Sequence, residues 1–406
     1  MSEERRPVLI TGVGLVSALA EGLEAHWAAL DVAGGAAPPV DRESYSPYPI
    51  HPLVEVDFDQ QIPKRGDQRQ MEPWQRIGTY AAGMALDSAG IKGQTEILSS
   101  TDMIVAAGGG ERDIAVDSAV LGEIVNRDEF GTILNERLSN DLRPTLFLAQ
   151  LPNLLAGNIS IVHKVTGSSR TFMGEEMAGV DAVRAAYARV ASGQSEICLV
   201  GGSFNAARHD LILLFELGGY LWESDWCPVW ERTDRGGGLV PGSMGAFLVL
   251  ESADHAARRG KPGLARLDGV ASERTTRGPG AAGNAAAGQL NALRTALTGA
   301  PLAVLSGASG VEPATSEERT FVTQLAKDHD ASVRAAGTAI GHGFEAQFPA
   351  IVGLATLVAS QRSLYPPRDG SGVELPAASP IGQILATCWG HWRGEGMALV
   401  TALDAG

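Results

Sequence analysis

The chain contains few cysteines for its length, and their spacing excludes the common sulfur-based sites. Three of its 406 residues are cysteines, Cys198, Cys227 and Cys388. They form no Cys-x-x-Cys motif and have no metal-ligand spacing, so we expect no metal site. A small and odd number of cysteines is typical of a reducing compartment, and we therefore expect a cytoplasmic protein.

Positive charge is in the minority. Lysine and arginine total 32 against 47 aspartates and glutamates, which gives a net charge of −15. Nucleic-acid binding needs clustered basic residues, so this balance argues against a nucleic-acid partner. An acidic protein partner would also be repelled unless a local basic patch attracts it. Charged residues make up only 19% of the chain and glycines number 50, a composition typical of a compact α/β protein with many tight turns and a buried oligomer face.

Long apolar runs are also missing. A membrane-spanning helix needs about 18 consecutive apolar residues, and no segment of the sequence supplies them. Arg5-Arg6 followed by the apolar run 8–20 resembles a signal peptide, but Gly12 and Gly14 interrupt it. We interpret 8–11 as a buried strand and Gly12-Val-Gly14 as the turn into a helix. The same glycines partly match a dinucleotide-binding loop, yet no acidic residue follows at the required spacing, and we expect no cofactor.

Apolar runs bounded by glycine alternate with segments of helical periodicity, which predicts an α/β fold. The predicted strands are 8–11, 103–107, 197–200, 246–250, 303–305 and 398–403, and the predicted helices are 23–30, 74–89, 146–156, 179–191 and 348–360. A glycine-then-strand pattern at 245–254 returns at 396–404. This echo favours two similar halves, residues 1–252 and 253–406.

The strongest candidate site lies where a predicted strand, a sharp turn and a buried helix follow one another in 167–183. Glu175 and Glu176 stand at the start of that helix. One interpretation is ordinary stabilisation of the helix N-terminus by negative charge. The other is a buried, functional Glu176, because its neighbours are apolar and a buried carboxylate needs a partner. Among the histidines, His342 is the best functional candidate, since Gly341-His-Gly343 precedes an apolar helix.

Several segments resemble the beta-ketoacyl-acyl-carrier-protein synthases of the thiolase superfamily. They include the run Pro228-Val-Trp-Glu-Arg-Thr-Asp-Arg-Gly-Gly-Gly238, the run 240–251, and the strand–turn–helix at 167–183. The resemblance extends over almost the whole chain. It implies the thiolase fold, five αβαβα layers built from two similar halves, and an intimate dimer.

The resemblance also implies that most of the family's catalytic set is missing. Glu176 occupies the position of the nucleophilic cysteine, and Gly307 that of the first catalytic histidine. The second histidine is kept as His342, although its lysine partner is replaced by Gly337 and the acid that follows it by Ile351. The flexible glycine-rich loop over the acyl pocket becomes bulky. On this basis the substrate-binding candidates are Phe172, Gly307, Trp389, His391 and Trp392.

Loss of the cysteine resembles the chain-length-factor branch of the family. This implies a non-catalytic homologue that pairs with a cysteine-bearing synthase as a heterodimer, works on acyl carrier protein and sets the length of a long or very long acyl chain. Residues near 144–155 would contact the partner. The runs 63–71, 108–116 and 170–176 are most similar to the synthase homologue of the alphaproteobacterial lipid A very-long-chain fatty acid cluster.

Two alternatives remain open at this stage. In the first, the chain is an enzyme that acts on acyl- or malonyl-carrier-protein thioesters by condensation, decarboxylation or hydrolysis, with Glu176 as general base and His342 polarising the carbonyl. In the second, it is a homodimeric condensing enzyme that uses Cys388 or Cys227. Decarboxylation is disfavoured by the missing first histidine, and Cys388 lacks the helix N-terminus that would lower its pKa.

Overall fold

The computed structural model describes residues 5–32, 38–125, 129–143, 146, 150–276, 278–377 and 380–404. Ten strands in these ranges form one mixed sheet. In chain order they are β1 (Val8–Val16), β2 (Asp102–Ala107), β3 (Ser169–Met173), β4 (Ile197–Phe204), β5 (Met244–Ser252), β6 (Ala265–Thr276), β7 (Leu302–Ser306), β8 (Ser332–Ala335), β9 (Gln383–Trp389) and β10 (Arg393–Thr401).

The α-helices of the described residues are numbered in the same way. The first part of the chain contains α1 (Leu23–Leu30), α2 (Arg65–Gln70), α3 (Pro73–Ala89), α4 (Thr95–Ser100), α5 (Ile114–Ile124), α6 (Phe130–Asn140), α7 (Leu154–His163), α8 (Glu176–Ala191) and α9 (His209–Leu217). The remainder contains α10 (Val229–Arg232), α11 (Ala253–Arg258), α12 (Ala281–Leu293), α13 (Ala314–His329), α14 (Gly337–Ile340) and α15 (Gln347–Gln361).

The strand order repeats between the two parts of the chain. Outward from the centre, the sheet runs β1-β5-β4-β2-β3 on one side and β6-β10-β9-β7-β8 on the other. Each strand of the first five therefore has a counterpart in the second five. The division at residue 252 stays a prediction, and this repetition supports it.

Helices pack on the two halves of the sheet, β1–β5 and β6–β10, in three layers. α3 contacts β1, β4 and β5, while α12 contacts β6 and β10. α8 and α15 contact each other and strands from both sides of the sheet. These contacts give the αβαβα order that was predicted, with α8 and α15 as the central layer. The candidate site lies at the beginning of α8, inside this central layer.

The predicted turn at Gly12-Val-Gly14 is wrong, because β1 continues through both glycines to Val16. A Cβ atom on Gly12 would lie 2.4 Å from the carbonyl oxygen of Ala85, and one on Gly14 would lie 2.0 Å from that of Ala81. The glycines therefore let α3 pack directly on the strand. Their function is close helix–sheet contact within a regular element.

Most other predicted elements are confirmed with small changes of boundary. Helix 23–30 matches α1, and the helices predicted at 74–89, 179–191 and 348–360 correspond to α3, α8 and α15. The helix predicted at 146–156 is different: α7 begins at Leu154, and residues 144–145 and 147–149, which belong to the predicted partner-contacting segment, lie outside the described residues. Within the described ranges, no helix combines the length and apolar character needed to cross a bilayer.

Candidate functional site

Glu176 is the first residue of α8 and is almost completely buried. β3 ends at Met173, and Gly174 then adopts a φ of 138° that turns the chain sharply into the helix. Only 1% of the Glu176 surface is exposed. Glu175, the residue before the helix, makes no capping hydrogen bond with its side chain. Glu176 lies in the first turn of α8, where its negative charge is compatible with the helix N-terminus, and its side chain is also buried.

Two histidines bind the Glu176 carboxylate from different parts of the chain. Nε2 of His342 lies 2.7 Å from Oε1. Nδ1 of His391 lies 2.9 Å from Oε1 and 3.2 Å from Oε2, and the backbone N–H of His391 donates to Oε1 over 3.1 Å. Because an ionised carboxylate only accepts hydrogen bonds, both ring nitrogens act as donors here. One oxygen of Glu176 is thus the acceptor for three donors.

These contacts determine the charge of the carboxyl group. Burial alone would raise the pKa of Glu176, but the charge of His391 and the hydrogen bonds from both histidines hold that pKa well below its usual range. Glu176 is therefore ionised at neutral pH. A carboxylate with its proton affinity lowered in this way is a weak general base.

His342 is fixed by its backbone. It follows α14 and Gly341, whose φ of 73° is in the left-handed region. The His342 backbone N–H donates to the carbonyl of Val240, and its own carbonyl accepts from Gly242. Among the described residues, Nδ1 of His342 has no hydrogen-bond partner. The imidazole is therefore oriented by its backbone and by Glu176.

His391 lies in the turn between β9 and β10 and is enclosed by aromatic rings. Its imidazole meets Tyr220 at 4.9 Å, Phe344 at 5.5 Å and Phe215 at 5.8 Å, each nearly edge to face. Only 4% of its surface is exposed. This aromatic packing holds His391 against Glu176.

A second buried carboxyl group, that of Glu345, lies in the 3₁₀ turn Phe344–Ala346 before α15. Burial raises the pKa of Glu345 to about 8, and the negative charges of Glu176 and Glu175 act in the same direction. Its backbone carbonyl presses on α8, where a Cβ atom on Gly179 would lie 2.5 Å from it. Glu345 is therefore protonated at neutral pH, beside an ionised Glu176.

The space predicted for the first catalytic histidine is filled. A Cβ atom on Gly307 would lie 2.4 Å from Cδ1 of Ile351 and 2.8 Å from the carbonyl oxygen of Thr387. Ile351 itself is completely buried in α15. Gly307 is thus a packing position with no room for a side chain.

The other predicted substrate-binding residues do not all lie in one place. Trp389 is buried in a separate core cluster, with its ring centroid 5.9 Å from that of Phe321, and its part in substrate binding stays a prediction. Alternation along β9 points this side chain away from the face that carries Cys388. Phe172 is half-buried on β3. Trp392 is 40% exposed and, with His391, lines a groove of about 610 Å³.

None of the three cysteines is placed as a nucleophile. All three are buried, and Cys388 lies within β9. Burial, with the nearby charges of Glu176 and Glu318, raises the pKa of the Cys388 thiol well above its usual range. Burial also raises the pKa of Cys227. A thiol that stays protonated is a poor nucleophile, which argues against condensation through these residues.

Sequence reasoning missed Glu345 and the ring of Phe344. Phe344 has a φ of 43° and stacks on Phe215 at 4.5 Å. The only available signal was an acidic residue two positions after Gly343 in an apolar stretch. His26, away from the site, is also fully buried and hydrogen-bonded to Ser17 and to the Gly22 carbonyl.

The sequence has curated relatives among fatty-acid and polyketide synthases. It is 28% identical over 277 residues to 3-oxoacyl-[acyl-carrier-protein] synthase 2 of Rhizobium meliloti, an alignment that spans 63% of this chain and 61% of that protein. The alignment with the oxytetracycline polyketide putative beta-ketoacyl synthase 1 of Streptomyces rimosus spans 63% of that protein. The chain therefore covers less than two thirds of these two relatives. The tetracenomycin polyketide synthase ketoacyl synthase beta subunit of Streptomyces glaucescens is 28% identical over 91% of this chain and 89% of its own length.

Solved structures share the fold. The structure described as the ishigamide ketosynthase/chain length factor has a TM-score of 0.79 at 18% identity and matches 98% of this chain and 100% of its own. A beta-ketoacyl synthase from Burkholderia phymatum has a TM-score of 0.77 at 18% identity with the same coverage. Residues 5–256 match the sequence profile of the beta-ketoacyl synthase N-terminal domain. Since that match covers more than half of the sequence, the chain belongs to the beta-ketoacyl synthase family and has its thiolase-like fold.

Proposed function

We propose that this chain is a non-catalytic beta-ketoacyl synthase homologue. It would pair with a cysteine-bearing synthase, act on chains attached to acyl carrier protein and set their length. The observation that carries the proposal is the closed contact of Glu176 with His342 and His391. In this contact a carboxylate takes the predicted place of the nucleophile, and it holds the kept histidine in a hydrogen bond. A carboxylate cannot form the acyl thioester that condensation requires.

The exposed edge of β3 and the apolar surface near α5 and α9 favour the binding of a second subunit. β3 is one of the two edge strands of the sheet, and Met173 at its end is 70% exposed. Large apolar side chains are also exposed on or beside α5 and α9, among them Val125 at 81% and Leu217 at 79%. An unpaired sheet edge and exposed apolar groups are features that a protein partner covers. A homodimer would cover the same surfaces, so the identity of the partner is left to experiment.

A basic patch at α2 could attract a carrier protein, although the chain as a whole has a net charge of −15. Lys64, Arg65 and Arg69 are all exposed at α2. The Arg65 side chain is 83% exposed and its nearest acidic partner, Asp59, lies 3.8 Å away. Such weakly paired cations can attract an acidic protein at moderate ionic strength. The assignment to very-long-chain acyl synthesis for lipid A rests only on the runs 63–71, 108–116 and 170–176 and is the most specific part of the proposal.

The test is intact-protein mass spectrometry after incubation with acyl- and malonyl-carrier protein, with and without a cysteine-bearing synthase from the same genome. We expect no adduct on this chain alone, and longer product only when both proteins are present. A matched Glu176→Cys variant tests whether the position can carry an acyl group once a thiol is supplied. An acyl adduct on the wild-type chain alone, or product lengths unchanged by its presence, would exclude the proposed function.

One observation favours the alternative of an enzyme. The groove of about 610 Å³ lined by Tyr220, His391 and Trp392 ends against a histidine that touches Glu176. A thioester in that groove would meet the His391 imidazole, behind which the buried Glu176 carboxylate and His342 lie. If purified protein hydrolyses or decarboxylates a carrier-protein thioester, Glu176→Gln should abolish that activity, because the amide cannot accept a proton. Equal activity in the variant would reject this alternative.

A further inference from the structure

One edge of β6 is largely unpaired. β6 pairs with β10 from Arg266 to Thr276, but with β1 only from Ala265 to Leu267. Beyond Leu267, no strand of the described residues pairs with the second edge. In an antiparallel strand, alternate residues direct their N–H and C=O groups to opposite edges. The stretch 268–273 therefore presents backbone hydrogen-bonding groups without a strand partner.

The sequence before β1 explains why this edge stays open. Continued pairing of β1 with β6 would require Pro7 opposite Asp268, and proline has no N–H to donate. The backbone N–H of Arg6 instead donates to the carbonyl of Ala191 at the end of α8. The chain leaves β6 at this point and does not cover its edge.

The open edge lines a groove of about 820 Å³, which we call the β6 groove. Its walls come from Tyr187 on α8 and from Gln289 and Leu293 on α12. The Tyr187 hydroxyl donates to the carbonyl oxygen of Asp268 over 2.8 Å. A side chain thus already satisfies one backbone acceptor on this edge. The groove lies away from Glu176, and none of its lining residues belongs to the candidate site.

The β6 groove is rich in arginine although the chain as a whole is acidic. It is lined by Arg5, Arg6, Arg184 and Arg266, against two acidic residues, Asp268 and Glu273. Arg6, Arg184 and Arg266 each contact one carboxylate, those of Glu196, Asp181 and Asp268. A guanidinium has five N–H donors, so these arginines keep donors for a second carboxylate. The ion pairs of Arg6 and Arg184 are also partly exposed, where such pairs are weak.

We propose that the β6 groove binds an extended acidic peptide segment of a partner protein as an added β-strand. Backbone hydrogen bonds to the free edge of β6 would hold the segment, and carboxylates on its side chains would meet the arginines. Six residues, 268–273, form the edge within the groove, which corresponds to about 20 Å of strand. The proposal does not depend on the function proposed for Glu176.

The test uses the full chain and a fluorescein-labelled peptide of sequence Glu-Val-Glu-Val-Glu-Val, followed by fluorescence anisotropy. Two further peptides are compared: one with lysine in place of glutamate, and one N-methylated at alternate amides so that it keeps its charge and loses backbone donors. We expect binding only by the unmethylated acidic peptide. Hydrogen–deuterium exchange should show slower exchange of amides within 268–273 when that peptide is bound.

Arg5→Ala and Arg184→Ala should each weaken binding about two- to fivefold, the effect of losing one partly exposed ionic contact. Arg112→Ala is the matched control, because Arg112 lies just before α5, outside the β6 groove, and is an exposed arginine that pairs with Asp117. This variant should bind the peptide like the wild type. Equal binding of the N-methylated peptide would show that the groove binds carboxylates without adding a β-strand, and it would overturn the proposal. Absence of binding at millimolar peptide would overturn it as well.

Discussion

Two buried carboxyl groups, one at the start of α8 and one in the turn before α15, differ in charge: Glu176 is ionised and Glu345 is neutral. Glu176 is 1% exposed and Glu345 is 7% exposed. The first has two histidine partners and a pKa well below its usual range, whereas the second has a pKa raised to about 8. Burial disfavours the charge in both. The difference shows that the positions of His342 and His391 decide where the negative charge stays.

The largest expected effect comes from removing the ionised member of the pair. Glu176→Ala would leave two imidazoles buried without their acceptor, and we expect the free energy of unfolding to fall by about 3–5 kcal/mol. Urea unfolding followed by circular dichroism measures this loss. Glu176→Gln keeps an acceptor oxygen and should lose less. Equal stability of the alanine variant and the wild type would show that the contact is unimportant for folding.

Glu345→Gln should change how stability depends on pH. A carboxyl group whose folded pKa lies near 8, above the unfolded value of 4.5, favours folding fully at low pH, and that contribution is lost as pH rises from about 4.5 to about 8. The variant cannot ionise, so it should match the wild type near pH 5 and exceed its stability at pH 8 by roughly 2–4 kcal/mol. Other titrating groups are common to both proteins. Parallel stability curves for the two proteins would contradict the assignment.

Gly179→Ala tests the packing that brings the two regions together. The new Cβ atom would lie 2.5 Å from the Glu345 carbonyl oxygen and 3.0 Å from Pro349. Overpacking of this kind costs about 1–3 kcal/mol. Gly66→Ala is the control, since Gly66 also lies in a helix but faces open space, and there alanine should stabilise slightly. A neutral Gly179→Ala would mean that α8 can move away from the turn at little cost.

The smallest effect is expected at Glu175, one residue from Glu176. Its side chain is 34% exposed and its contact is a 3.4 Å ion pair with Arg393. Exposed pairs of this kind contribute at most about 1 kcal/mol. Glu175→Ala should therefore lower stability by less than about 1 kcal/mol in the same urea measurement. A loss as large as that of Glu176→Ala would show that the two acids act as one unit.

The sequence predicted elements whose apolar periodicity is strong, such as α3, α8 and α15. It failed at Gly12 and Gly14, because a glycine that makes room for a helix looks the same as one that makes a turn. Glu176 and His342 were selected as a pair, but the sequence could not show that His391 joins them. That contact depends on β9, β10 and α8 meeting in space, and sequence spacing carries no information on it. The burial of Glu345 was missed for the same reason.

Gly307 cannot gain a side chain through one change in a neighbouring residue. A Cβ atom there would meet Cδ1 of Ile351 and the backbone carbonyl oxygen of Thr387, so a smaller residue at position 351 is a necessary first step that relieves only one of the two contacts. That first step alone would leave a cavity in a fully buried helix and lower stability. The contact with the Thr387 backbone would remain in such a variant. Glycine is therefore the residue that this fold retains at position 307.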